Sequence, residues 1–298
     1  STFQDSEGGN FQIAQLEQFP SVIECKRGAE ETLGLILLRQ PSVTMAKGKW
    51  TVGVDFGTSF TNIYIGSRSS VKRLPLESLH LRVTDSELAT RLPVLFEYFL
   101  PENFLPAENP LPLSSVLTTQ GSDQADPSAN AKAVIDGRMY IPNVDRFDPS
   151  AAHIQTDLKW TNFNANQLFI KNLALFISAL AIKNQIKEVQ WSLSYPSALS
   201  RRDISNYAKT WKDVTSWLET RTGITYRQPE IEDSRYFKTE SLAMAQYFAD
   251  QERNDLMFTT CIDMGGGTSD ISIWEKNTLL HQCSVQLAGR DLLSQILE

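Results

Sequence analysis

Two stretches of this 298-residue chain repeat one pattern. Residues 52–65 read VGVDFGTSFTNIYI and residues 261–274 read CIDMGGGTSDISIW, each an apolar run, an Asp, a Gly turn with Thr and Ser, and a second run. Asp55 and Asp263 stand 208 positions apart. A glycine turn between strands lets backbone N–H groups approach an anion closely, and Thr and Ser hydroxyls add donors to the same concavity. Gly57, Thr58 and Ser59 would supply the first turn's donors, and Gly265, Gly266, Gly267 and Thr268 those of the second. One such turn is common and says little, whereas two can grip a polyphosphate from both sides. Asp55 and Asp263 would then face phosphate, a charge conflict that a hydrated Mg²⁺ held between them removes. Neither turn matches GxxxxGK[ST] or GxGxxG, and each leads into a strand rather than a helix, which disfavours those two nucleotide folds.

The elements that must hold these turns follow from periodicity. Trp50 to Val54 and Thr61 to Ile65 read as strands flanking the Asp55 to Ser59 turn, and Phe258 to Asp263 as a buried strand entering the second turn. Gln167 to Ile186 is apolar on nearly every face, the mark of a helix buried between layers. Val189, Trp191 and Leu193 share one face of a strand over 187–194. Ser200 caps a helix with Asp203 three residues on, Ile204, Tyr207, Ala208, Trp211, Val214 and Leu218 form its stripe, and Gly223 ends it. Thr239 caps another helix reaching about Ala249. Val22 to Cys25 and Leu33 to Leu38 read as a hairpin, the tail of a preceding domain within residues 1–48. Residues 100–130, with Pro101, Pro106, Pro110, Pro112 and Pro127, read as an extended surface insertion. Alternating strands and helices indicate an α/β fold.

Composition narrows the function. The net charge of −7, without a block of Lys or Arg, argues against nucleic acid as a partner. Cys25, Cys261 and Cys283 are odd in number and widely spaced, which suits a reducing compartment, hence a cytoplasmic expectation. Leu168 to Ile182 is too short for a membrane span and is interrupted by Lys171 and Asn172. Ser1 stands where Met would open a natural chain, so the native start is left open.

The two hairpins resemble the phosphate-1 and phosphate-2 motifs of the actin, sugar-kinase and heat-shock-chaperone superfamily. The DnaK-like, seventy-kilodalton heat-shock branch is the most similar: SLSYPSALSRRDI at 192–204, TESLAMAQYF at 239–248 and LAGRDLL at 287–293 resemble its connecting segment, crossover helix and Gly-x-Asp-Leu. The resemblance implies a ribonuclease-H-like actin/DnaK-type ATPase fold, with a first lobe at 49–256, an inserted subdomain at about 67–160, and the start of a second lobe at 257–298. It implies ATP/ADP and Mg²⁺ as ligands, with Asp55 and Asp263 holding the metal through water, and Gly57, Thr58 and Ser59 on phosphates. Gly265, Gly266, Gly267 and Thr268 would close on the γ-phosphate. Glu240 would position a metal-bound or attacking water, Asp270 would tune the second hairpin, and Pro196 would act as a switch. Each of these three has a plainer role open to it: helix N-terminal charge, turn carboxylate and strand end respectively.

Two departures from that branch stand out. The stretch comparable to the one that supplies its catalytic Lys, IDGRMYIPN at 135–143, offers Arg138 and no Lys. The chain also stops 28 residues after Asp270, which leaves the expected base-binding half absent and predicts weak or no turnover for this piece alone. The implied reaction is in-line attack of water on the γ-phosphate, coupled to a conformational change felt by a protein partner or client. A chaperone-like switch ranks first, a filament-forming ATPase second and a small-molecule kinase third, with a non-catalytic nucleotide sensor also open.

Overall fold

The structure, a computed structural model, describes residues 16–42, 44–67, 70–74, 113–118, 154–160, 163–289 and 291, with the short strands at 2–4, 10–12, 81–85, 96–100 and 138–139. Its main sheet grows from the first hairpin. β1 (Gly48–Phe56) pairs antiparallel with β2 (Phe60–Ser67), setting Asp55 opposite Asn62. On its other edge β1 runs parallel to β5 (Ile186–Tyr195), so Trp191 lies beside Val52 and Leu193 beside Val54. β3 (Ser70–Arg73) and β4 (Leu113–Ser114) extend the β2 side, while β6 (Thr225–Arg227) and β7 (Phe237–Thr239) pair parallel with β5. The order β4-β2-β1-β5-β6, antiparallel on one side of β1 and parallel on the other, is the ribonuclease-H-like α/β arrangement anticipated from the sequence.

Parallel neighbours require crossovers, which α1 (Phe163–Lys183) and α2 (Arg201–Thr222) provide. Strand alternation puts Val52, Val54 and Phe56 on one face, where both helices bury them. Phe56 stacks on Phe169 of α1, and Trp191 packs on Trp211 of α2 with ring centroids 4.9 Å apart. Because α1 is enclosed on most sides its polar groups need internal partners: Tyr226 donates to Ser178 Oγ, which donates to the Ala174 carbonyl. α1 is long and apolar enough to cross a membrane by composition, and two-thirds of that stretch is buried in the protein. α2 has the anticipated ends, with Ser200 Oγ accepting from the Asp203 N–H and Gly223 left-handed at φ 68°.

A second antiparallel sheet runs β8 (Phe258–Met264), β9 (Ser269–Glu275) and β10 (Thr278–Val285). One face packs on α3 (Glu240–Asp250) through Ala245, Leu256, Cys261 and Trp274. The other face corrects the expectation of a buried strand at 258–263: Phe258, Ile262 and Met264 are exposed, because among the described residues no helix covers them as α1 and α2 cover β1.

The proline-rich insertion also differs from expectation where it is described. Leu113, Val116 and Leu117 are buried, and β4 adds to the edge of β2. Residues 101–112 and 119–130 lie outside the described residues, as does most of the 67–160 subdomain. The upstream hairpin is present, Val22–Arg27 against Glu31–Leu37, with its side chains largely exposed.

Candidate functional site

The two glycine turns are built alike. The Gly57 N–H donates to the Phe60 carbonyl at 3.0 Å, and the Gly265 N–H donates to the Thr268 carbonyl at 2.8 Å. These bonds close each tip just beyond its Asp, so Asp55 and Asp263 end their strands at the same place. The tips also meet each other. A Cβ on Gly266 would run into Ser59, and one on Gly267 would lie 2.7 Å from Thr58 Oγ1, so these glycines admit the opposite hairpin. The turns are braced from behind: the Ser115 N–H donates to the Ser59 carbonyl at 2.9 Å, and the Gly289 N–H to the Gly265 carbonyl at 3.1 Å. Gly289 and Asp291 belong to the LAGRDLL stretch, and Asp291 itself accepts from the Ala288 N–H.

Between the hairpins lies a cavity of about 800 Å³. Asp55, Gly57, Thr58, Ser59, Glu240, Asp263, Gly265, Gly266, Thr268 and Asp270 all line it. Every residue singled out there from sequence is thus brought to one place except Gly267, which packs on Thr58 instead, and Pro196. Pro196 follows the end of β5, and the next residue reaches the site indirectly: the Ser197 N–H donates to Asp270 Oδ1 at 3.1 Å.

The lining residues not singled out include a cation. Lys159 enters the cavity and forms an ion pair with Glu240, both side chains nearly enclosed at 7% and 11% exposed. Lys159 comes from the turn just before α1, while the Arg138 side chain lies outside the described residues. No periodicity or motif marks Lys159 in the sequence. Only the fold carries it to Glu240, 81 residues away.

Among the described residues the cavity gathers four carboxylates, Asp55, Glu240, Asp263 and Asp270, against one lysine. Asp263 and Asp270 sit directly opposite each other on neighbouring strands, an unfavourable pairing of like charges unless a cation intervenes. Burial raises the Asp263 pKa, and the Asp55 and Asp270 charges raise it further. Glu240 is pushed up from 4.5 to about 7, chiefly by burial, with Asp55 and Asp270 adding to the rise and Lys159 opposing it. Among the described residues no three metal-binding side chains cluster tightly enough to hold an ion directly. An acid-rich, roomy cavity of this kind fits a cation held through its own water shell, such as hydrated Mg²⁺. The backbone N–H groups at the glycine tips fit an anion.

No protein-family model matches the chain, and no curated protein matches it. Some solved structures are similar to it. MreB5 of Spiroplasma citri bound to ADP is 14% identical with a TM-score of 0.45, over 83% of this chain and 55% of that one. The same protein bound to AMPPNP gives 14% and 0.45, over 84% and 56%. An exopolyphosphatase from Cytophaga hutchinsonii gives 11% and 0.34, over 83% and 53%. The chain spans about half the length of these structures.

Proposed function

We propose that this chain is the phosphate-gripping part of an actin-like ATPase, which binds ATP between its two hairpins and hydrolyses it. The observation that carries this reading is the convergence of two equivalently built glycine turns on one cavity rich in carboxylates. The N–H groups and hydroxyls of Gly57, Thr58 and Ser59 would hold the polyphosphate from one side, and those of Gly265, Gly266 and Thr268 from the other. A hydrated Mg²⁺ between Asp55 and Asp263 would supply charge neutralisation at the transferring phosphoryl group. Glu240, whose pKa burial raises, would orient a water and take up its proton, with Lys159 holding the carboxylate in place. Asp270 would report the state of the second hairpin to the segment after Pro196 through Ser197.

That link suits a conformational switch as the output. A filament-forming ATPase is the alternative, and nucleotide-dependent light scattering separates the two: growth of scattering on adding Mg·ATP selects filaments. ATP hydrolysis and calorimetric binding on the protein at its full natural length test the site itself. Asp263→Asn and Thr268→Ala should lower turnover more than affinity, by about 10²-fold, if these groups act mainly on the transition state. Unchanged turnover in both would reduce the hairpins to a structural feature.

A further inference from the structure

The turn that delivers Lys159 also delivers Trp160. Asp157 adopts left-handed backbone at φ 53°, a conformation Asp tolerates, and the Trp160 N–H closes the turn on the Asp157 carbonyl at 3.0 Å. Leu158 anchors it in the core at 1% exposure. Two consecutive side chains are thereby aimed at different parts of the site, Lys159 at Glu240 and Trp160 at the first hairpin. The Trp160 Nε1–H donates to Thr58 Oγ1 at 3.0 Å, across 102 residues of sequence.

The chemistry of the two groups gives that bond a direction. An indole N–H can only donate, and a threonine hydroxyl has one proton and two lone pairs. With one lone pair taken by Trp160, the Thr58 proton must be offered elsewhere, and Thr58 is buried at 7% exposure and lines the cavity. We propose that Trp160 is a positioning residue that fixes the Thr58 hydroxyl as a donor toward a phosphate oxygen. This rests on the polyphosphate reading of the cavity. A hydroxyl already oriented needs no reorganisation when the anion arrives, so its contribution to binding is larger than that of a free rotor.

A double-mutant cycle tests it, using calorimetric Mg·ATP affinities of the protein at its full natural length and melting curves to verify folding. Trp160→Phe keeps an aromatic ring and removes the N–H; Thr58→Val keeps the shape and removes the hydroxyl. Trp160→Phe should weaken binding about tenfold, the scale of one hydrogen bond to a charged group. The double variant should bind no more weakly than Thr58→Val alone, whereas in a Thr58→Ser background, which retains the hydroxyl, Trp160→Phe should keep its tenfold cost. An equal cost with valine at 58, or no cost in the wild type, overturns the proposal and leaves the phosphate reading standing. A wild type that does not bind Mg·ATP overturns both.

Discussion

Glu240 is where burial and charge oppose each other most directly. Its folded pKa of about 7 lies above the ordinary 4.5, so between these values the folded protein retains a proton that the unfolded chain has released. Its contribution to stability is therefore complete below pH 4.5 and is lost as pH rises through 7. For the protein without nucleotide or metal, this group should remove on the order of 3 kcal/mol between pH 4.5 and 8. Glu240→Gln should abolish that slope, whatever it does to stability at a single pH, as scanning calorimetry across the range would show. Identical slopes in both proteins would mean that Glu240 is ionised throughout. Lys159→Met removes a cation that opposes the shift, so it should move the midpoint of the slope to higher pH.

At the scale of elements the two hairpins tolerate side chains unequally, although their sequences look alike. A Cβ on Gly57 would strike the Phe60 carbonyl, which is backbone and cannot turn aside. A Cβ on Gly266 would meet chiefly the Ser59 hydroxyl, the free end of a small side chain that can rotate away. Gly57→Ala should thus cost about 1–3 kcal/mol in a urea titration, the usual range for overpacking. Gly266→Ala should leave the unfolding midpoint nearly unchanged yet weaken Mg·ATP binding, because the rotated Ser59 is withdrawn from the cavity. Equal losses of stability in the two variants would show that the turns do not differ in this way.

At the scale of the whole molecule, the described residues cover the two halves of the repeat unequally. Val54 in β1 and Ile262 in β8 occupy equivalent places before their aspartates, yet Val54 is 2% exposed and Ile262 is 55% exposed. The helices α1 and α2 make the difference. In this 298-residue chain Val54→Asn should cost about 3 kcal/mol, since an amide would be buried without a partner, while Ile262→Asn should stay within about 0.5 kcal/mol. Chemical denaturation of both variants decides it, and a large loss at Ile262 would mean that its face is covered in solution.

What the sequence determined is what neighbours in the chain determine. The glycine turns, the Ser200 and Gly223 helix ends and the stripe from Ile204 to Leu218 depend on contacts a few residues apart, and periodicity and turn chemistry reveal them. The gathering of Asp55, Thr268 and Asp270 into one cavity was legible too, through the motif repeat. Tertiary structure decided the rest. Lys159 and Trp160 carry no pattern of their own and reach Glu240 and Thr58 only because a left-handed turn and a buried Leu158 aim them there. The exposure of Phe258, Ile262 and Met264 was equally hidden, because an apolar run specifies a strand without specifying whether anything packs against it. The charge state of Glu240 depends on burial and on carboxylates distant in sequence, which only the folded chain brings within reach.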